Sequence, residues 1–276
     1  MSDNGKTMRF LVCSSKGGVG KSFVARHFLP FAYAPLGYVD TDLSNRGAKM
    51  LEKSKRVKIA YRGSVESLPE HPEVLLDFDH LVIDVGGKDK EVEATLDALG
   101  KMLFTDFLDL VLIPLQGGEE EVRNALETLL LVRKKGYGGK VAIVLNRWGE
   151  RKPEEQFARY LKVRNHFLEQ GEVVEIAVPK ISTAVVVAER RNLSVSDLEE
   201  ELDGASLREQ IKALWEEGLR APLEKRREYA ERIRELQRKL SFAEEIALMR
   251  RFAEAAEKTF GGTKMPSPFE LFGGGS

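Results

Sequence analysis

Over residues 8–195, short apolar runs alternate with amphipathic segments. Several of these runs are almost continuously apolar, which is typical of strands buried on both faces of a parallel sheet. The predicted strands span residues 8–15, 36–42, 57–63, 79–86, 109–116, 140–147 and 172–179. The clearest helical segments between them span residues 22–33, 90–105, 119–135 and 154–169. This alternation predicts an α/β fold with a doubly wound, mostly parallel sheet.

The pattern changes after residue 197, where the strand signals end. Apolar side chains then recur three or four positions apart, which predicts one or two long amphipathic helices. This stripe consists of Tyr229, Ile233, Leu236, Leu240, Ile246, Met249, Ala253, Ala256 and Phe260. We therefore divide the chain into an α/β domain at 1–197, a helical extension at 198–260 and a tail at 261–276. The Gly, Pro and Ser content of the tail predicts disorder.

Composition narrows the class of protein. The chain has 276 residues, 42% of them hydrophobic, which is enough for one large core or two small ones. Its 43 basic and 44 acidic residues nearly cancel, so any nucleic-acid surface has to be local. The single cysteine, Cys13, excludes an internal disulfide and argues against a cysteine-ligated metal or iron–sulfur site. Without a secretory or membrane-spanning pattern, we expect a cytoplasmic protein.

A glycine-rich loop, CSSKGGVGKS at residues 13–22, lies between the first predicted strand and the first predicted helix. Its end matches the phosphate-binding pattern G-x-x-x-x-G-K-[ST], although Ser15 replaces the first glycine. Such loops turn backbone N–H groups toward phosphate, and the helix dipole adds positive potential. The candidate nucleotide-binding residues are Gly17, Gly18, Val19, Gly20, Lys21, Ser22 and Phe23. Lys21 would reach the β- and γ-phosphates, and Ser22 would ligate Mg²⁺.

The stretch K-G-G-V-G-K-S resembles the deviant Walker A motif of the ParA/MinD family of ATPases. Further motifs of the family follow in order over residues 8–195. Asp40-Thr41-Asp42 resembles the family's D-x-D motif, and Asp84 ends a strand that resembles its Walker B strand. The resemblance implies ATP and Mg²⁺ as cofactors, with Asp40 and Asp84 near the metal and Asp42 activating the attacking water. The structural alternative is strand-end capping for Asp40 and Asp42, and an ordinary strand followed by a turn for Asp84.

Two later motifs complete the resemblance on the base side. Asn146 in Leu145-Asn146-Arg147 would face the adenine edge, and Pro179 would pack over the base. An asparagine in a strand-end turn is the alternative for Asn146. After Asp84, Gly86 and Gly87 would let the backbone approach the γ-phosphate. The chain departs from the family after Asp42, where it lacks the usual Pro-Gln, and the segment before this motif is shorter.

Lys16 is the second lysine of the loop. In the family, a lysine at this position crosses a dimer interface and contacts the nucleotide of the partner subunit. A cation supplied in trans can contribute a factor of about 10³–10⁵ in rate when it is an arginine finger. The resemblance therefore implies a homodimer in the ATP state, with Lys16 as a catalytic residue beside Asp42 and Lys21. The alternative is that Lys16 only adds positive potential to its own loop.

A basic segment lies between Arg220 and Lys239, with eight basic and four acidic residues. Two copies in a dimer could bind DNA phosphates non-specifically and associate the protein with the nucleoid. The alternative is a solvated helix face with pairs such as Glu228–Arg232 and Glu235–Lys239. A membrane surface is less favoured, because prolines and glycines in the tail prevent an amphipathic helix.

The leading hypothesis is a ParA-like positioning or partition ATPase that is stimulated by an activating protein or cargo adaptor. Plasmid or DNA segregation, maintenance or conjugation would be its setting. Two alternatives stay open: a MinD-like ATPase that cycles on membranes, and a nucleotide-gated scaffold with little turnover. An iron–sulfur ATPase of the same fold is disfavoured, because a bridging cluster needs two exposed cysteines per subunit.

Overall fold

The computed structural model describes residues 7–41, 50–87, 89–201 and 203–272. A parallel sheet of seven strands lies at its centre, in the order β3-β2-β4-β1-β5-β6-β7. The strands are β1 (Met8–Val12), β2 (Leu36–Asp40), β3 (Val57–Arg62), β4 (His80–Asp84), β5 (Leu110–Leu115), β6 (Lys140–Trp148) and β7 (Val173–Pro179). All seven predicted strands are present, and the predicted fold class is confirmed.

Helices cover the sheet and extend beyond it. The α-helices are α1 (Lys21–Phe23), α2 (Asp89–Lys101), α3 (Glu119–Lys134), α4 (Pro153–Gln156), α5 (Ala158–Leu168), α6 (Thr183–Arg191), α7 (Gly204–Arg220), α8 (Leu223–Phe260) and α9 (Pro268–Phe272). Helix α1 continues as a π-helix at Val24–Phe28 and a 3₁₀ turn at Leu29–Phe31. Further 3₁₀ turns are Val65–Glu70, Pro72–Leu75, Thr105–Phe107 and Val195–Glu201.

The strand order places the glycine-rich loop at a crevice of the sheet. Strand β1 is central, and every residue of its neighbour β5 is buried, as the apolar run LVLIPL predicts. After β1 the chain runs toward β2 on one side, whereas after β5 it runs toward β6 on the other. Ligands of open α/β sheets bind at the carboxyl ends of strands where connections diverge in this way. The loop that follows β1 lies at that point.

The helical extension divides into two parts. Helices α7 and α8 are joined by Ala221 and Pro222 and pack as a hairpin, in which Gly218 lies against Tyr229. The carboxyl-terminal half of α8 instead belongs to the core of the α/β domain, where Met249 is fully buried. A domain boundary near residue 197 therefore does not separate two independent cores, because half of α8 packs on the sheet.

The tail contains an ordered helix, so the prediction of disorder is wrong for Pro268–Phe272. The ring of Phe272 stacks on Phe252 of α8, with centroids 3.8 Å apart. Phe269 packs edge-on against Trp148 at the end of β6, at 5.0 Å. These aromatic contacts offset the low helical propensity of the segment. The composition of the tail does not reveal such contacts. Within the described residues, no helix is both long and apolar enough to cross a membrane.

Candidate functional site

The glycine-rich loop leads from β1 into α1 with two residues in the left-handed region. Gly18 has φ 79° and Gly20 has φ 97°. A Cβ on Gly20 would lie 2.0 Å from Asn146 Nδ2, so a side chain cannot fit without displacing Asn146. Gly20 precedes α1 directly, and its carbonyl accepts from Val24 N–H at 3.0 Å. The backbone therefore enters the helix in a conformation that favours glycine.

Side chains from other elements fix the loop. Asn146 Nδ2 donates to the Val19 carbonyl at 2.7 Å, and Gln116 Nε2 donates to the Gly18 carbonyl at 2.8 Å. Ser15, which replaces the first glycine of the motif, pairs through its hydroxyl with Thr128 of α3 at 2.9 Å. Asn146 thus supports the loop, a role that its sequence context did not indicate. Gln116 and Thr128 were missed, since no local motif links them to residues about 100 positions away.

The two lysines of the loop have different environments. Lys21 is 7% exposed, and its Nζ donates to the Lys16 carbonyl at 3.0 Å. The side chain of Lys16 is 35% exposed, and its Nζ lies 2.9 Å from Glu120 Oε1 in the first turn of α3. Lys21 therefore stays within the loop, whereas Lys16 is accessible at its rim.

Two buried carboxylates end adjacent strands beneath the loop. Asp40 of β2 and Asp84 of β4 are in register, and both are at most 2% exposed. The Tyr38 hydroxyl donates to Asp84 Oδ2 at 2.6 Å. Burial raises the pKa of Asp84, and this shift is opposed by the bond from Tyr38 and by the charge of Arg26. Smaller opposing contributions to the Asp84 pKa come from Ser22 and Lys21, so this carboxylate lies beside the loop.

The donor set around Asp84 fits Mg²⁺. Asp84 Oδ1 is buried and has no hydrogen-bond partner among the described residues, and the Ser22 hydroxyl interacts with the same carboxylate. The described part of the chain contains no group of three or more His, Cys, Asp or Glu that could hold a metal. Mg²⁺ at phosphate sites needs only one or two carboxylates, since substrate phosphates and water complete its shell.

The segment after β4 approaches the loop closely. A Cβ on Gly87 would lie 3.0 Å from Gly17 Cα and 3.2 Å from Lys21 Nζ. A Cβ on Gly86 would lie 2.1 Å from Glu91 Oε2. The end of the Glu91 side chain can move away, so only Gly87 favours glycine through a backbone contact, which agrees with the expected approach of this backbone to the glycine-rich loop.

A cavity of about 400 Å³ adjoins the loop on the β6 side. Its polar part includes Asn146, and its apolar part includes Phe23, Pro179, Ile181 and Val185. A planar, partly apolar group fits such a lining. The structure thus brings together all the predicted site residues except Asp42, which lies outside the described residues together with residues 43–45.

Cys13 is fully buried in front of the loop. Burial raises the pKa of its thiol to about 12, so the thiolate that ligates metals is disfavoured. This environment does not suit a cysteine that shares a cluster with a second subunit.

Neither a protein-family model nor a curated protein matches the sequence. Among solved structures, a complex of Cyanothece McdA with ATP is 14% identical, with a TM-score of 0.48, and the match covers 70% of this chain and 90% of McdA. A protein described as a plasmid partition protein from Borrelia burgdorferi B31, bound to AMPPNP, is 11% identical, with a TM-score of 0.45. That match covers 71% of this chain and 100% of the other. The strand order of its own sheet, with the glycine-rich loop after β1 and Asp84 at the end of β4, gives this chain the fold of the P-loop NTPases.

Proposed function

We propose that this chain is a ParA-type ATPase that binds ATP with Mg²⁺ in the loop of residues 15–23. The observation that carries this proposal is the position of Asp84, buried beneath a phosphate loop whose Lys21 and Ser22 both interact with it. A glycine-rich turn without a ligand would not need a buried carboxylate with a free oxygen. The backbone N–H groups of Gly17 to Gly20 would bind the phosphates, and the cavity beside Asn146 and Pro179 would hold the base.

The reaction proposed is hydrolysis of ATP to ADP and phosphate. Lys21 binds the β- and γ-phosphates and stabilises the charge that develops there. Asp42 orients the attacking water and accepts its proton. Ser22, Asp40 and Asp84 would hold Mg²⁺, which neutralises phosphate charge when bound.

The second lysine supports a homodimer in the ATP state. Lys16 is accessible at the rim of the loop, and its ion-pair partner among the described residues is the exposed carboxylate of Glu120, so it can exchange partners at low cost. Reaching the γ-phosphate of a second subunit would couple ATP binding to association. We propose a monomer in the empty and ADP states and a dimer in the ATP state.

Light scattering with a non-hydrolysable ATP analogue tests the dimer. The wild-type mass should double with the analogue and not with ADP, and Lys16→Ala should stay monomeric. The control is Lys135→Ala, which removes a lysine that pairs with Asp97 far from the loop, at 2.7 Å. If Lys16→Ala dimerises as well as this control, the role of Lys16 in trans is wrong.

Asp42→Ala separates hydrolysis from binding. The variant should bind the ATP analogue and dimerise, but should release phosphate at least about a hundredfold more slowly, as for loss of a general base. Loss of analogue binding would instead make Asp42 a binding residue. Single-turnover assays on the wild type also distinguish a hydrolase from a nucleotide-gated scaffold, which would form the dimer with little turnover.

For the partner surface we favour DNA, because the hairpin exposes an excess of basic side chains. Two ion pairs form along α8, Arg227–Glu231 and Glu235–Lys239. The expected pair Glu228–Arg232 is not formed among the described residues. Exposed cations therefore remain along the hairpin at Arg220, Lys225, Arg232, Arg234 and Arg238. A membrane is disfavoured, because the half-buried Phe269 and Phe272 of the tail pack on Trp148 and Phe252.

Fluorescence anisotropy with labelled double-stranded DNA measures this binding. Affinity should require ATP and should fall steeply with salt, because phosphate contacts release counterions. The double variant Arg234→Glu/Arg238→Glu should bind about tenfold more weakly, which corresponds to about threefold for each lost phosphate contact. Arg123→Glu/Lys162→Glu, with the same charge change on the α/β domain, should bind as the wild type. Equal loss in both variants would contradict a specific role for the hairpin.

A further inference from the structure

Tyr38 is a buried residue of β2 that the proposed reaction does not use. It lies two positions before Asp40, so both side chains point to the same face of the sheet. Strand β4 runs parallel beside β2, with Asp40 in register with Asp84. The Tyr38 side chain extends along this face, and its hydroxyl donates to Asp84 Oδ2 at 2.6 Å. No exposed surface of Tyr38 remains.

The two oxygens of Asp84 therefore differ. Oδ2 accepts from Tyr38, whereas Oδ1 is buried and has no hydrogen-bond partner among the described residues. A carboxylate with one fixed oxygen cannot rotate freely about its terminal torsion, which is otherwise broad. The remaining oxygen is then held in one direction on a carboxylate that interacts with both Ser22 and Lys21.

Arg26 packs on the aromatic ring of Tyr38. It belongs to the π-helix that follows α1, and its Cζ lies 5.8 Å from the centroid of the Tyr38 ring. The Arg26 side chain is only 6% exposed, and its Nε has no hydrogen-bond partner in the described part of the chain. Arg26 therefore packs over the Tyr38 ring and adds positive charge near Asp84.

We propose that Tyr38 is a positioning residue for Mg²⁺ binding, which it supports by holding Asp84 with Oδ1 directed toward the loop. The inference rests on the proposed function of the same site. Partners that orient a metal-binding group typically change metal affinity by about 10- to 100-fold when they are removed. Tyr38 itself touches neither nucleotide nor metal in this arrangement, so its effect passes through Asp84.

The variant Tyr38→Phe removes only the hydroxyl. Binding of a fluorescent ATP analogue is measured with EDTA and over a titration of Mg²⁺. With EDTA, the variant should bind the analogue as the wild type does, because the loop is unchanged. The Mg²⁺ concentration that gives half of the affinity gain should rise by at least about tenfold. Neither readout depends on turnover.

Tyr160→Phe is a matched control. Tyr160 is also fully buried and also donates to a carboxylate, Glu175 Oε1, at 2.6 Å, but it lies on α5, away from the loop. Tyr160→Phe should leave the Mg²⁺ titration unchanged, although it also removes one buried hydrogen bond. Circular dichroism checks that the two variants are compared at an equal folded fraction. If Tyr38→Phe matches the control in the Mg²⁺ titration, the inference is overturned.

A double variant shows whether the effect passes through Asp84. If it does, Tyr38→Phe should add less than twofold to the Mg²⁺ requirement of Asp84→Asn. Fully additive effects would mean that Tyr38 acts by another route and would overturn the inference. A wild type that binds the analogue equally with EDTA and with Mg²⁺ would overturn the metal assignment as well. A wild type that needs Mg²⁺ while Tyr38→Phe behaves identically would overturn the inference alone.

Discussion

Lys16 Nζ lies 2.9 Å from Glu120 Oε1, so the lysine proposed to serve a partner subunit is paired within its own chain. The pair lowers the pKa of Glu120, chiefly through the hydrogen bond from Lys16. Glu120 is located in the first turn of α3, where the helix dipole also favours a negative charge. Association would then require Lys16 to leave Glu120 for the nucleotide of the second subunit.

Glu120→Gln should strengthen the ATP-dependent dimer. The substitution removes the charge that holds Lys16 in its own chain, and exposed ion pairs have small energies, so the gain should be about two- to fivefold in the dimer dissociation constant. Sedimentation velocity over a concentration series with the non-hydrolysable analogue measures this constant.

Glu119→Gln is the control for that experiment. Glu119 is the preceding residue of the same turn and lies 3.7 Å from Arg159 rather than near Lys16. Both variants remove one negative charge from the same helix end. A dimer strengthened equally by both would point to a general charge effect and not to the Lys16 pair.

Gly20→Ala should destabilise the loop. The substituent would lie 2.0 Å from Asn146 Nδ2 and would force alanine to adopt φ 97°. Strain of this kind costs about 1–3 kcal/mol, and displacing Asn146 breaks its bond to Val19. Thermal unfolding should report a lower melting temperature. Gly17→Ala is the comparison, since no atom of the described residues other than its chain neighbours lies within 4 Å of its Cβ position. An equal loss there would refute the contact with Asn146 as the cause.

The free energy of unfolding should fall as the pH drops below about 6.5, in part through His27. Burial lowers the pKa of His27, although the Glu189 carboxylate, whose Oε1 lies 3.8 Å from His27 Nε2, partly compensates. Its Nδ1 accepts from Val195 N–H at 3.3 Å, which requires an unprotonated nitrogen. The unfolded chain therefore binds a proton at a higher pH than the folded chain does, and acid favours unfolding.

His27→Asn tests this contribution to acid sensitivity. Asparagine can accept from Val195 N–H but does not titrate, so urea unfolding between pH 7 and pH 5 should show a shallower loss of stability than in the wild type. The pKa of His80 is also lowered by burial, but His80 is present in both proteins and its effect cancels. Parallel curves for the two proteins would show that His27 is not responsible.

Phe269→Ala tests the ordered tail. Phe269 packs against Trp148 and Phe157, so its truncation should reduce the free energy of unfolding by about 1–2 kcal/mol. Leu271→Ala removes a more exposed side chain of the same short helix and should have a smaller effect. Chemical denaturation measures both variants. If the wild type and Phe269→Ala have the same free energy of unfolding, the tail is disordered as the composition predicts.

The sequence predicts best where a local pattern determines the structure. Continuous apolar runs indicate the buried strands, and the sequence Gly20-Lys21-Ser22 after a strand predicts a phosphate-binding loop. Tyr38 and Gln116 could not be assigned in this way, because their partners are 46 and 98 positions away and depend on strand order. The order of the tail could not be predicted for the same reason, because its phenylalanines pack against distant residues of β6 and α8.

Helix α8 is continuous over 38 residues, which corresponds to about 57 Å at 1.5 Å per residue. One end is anchored in the core, where Arg250 donates to the Phe31 carbonyl at 2.6 Å, and the other end carries the basic hairpin. Phe31 ends the same helical segment that begins at Lys21 of the phosphate loop. A tilt of α8 by only a few degrees about its anchored end would therefore move the basic hairpin at the other end by several ångströms.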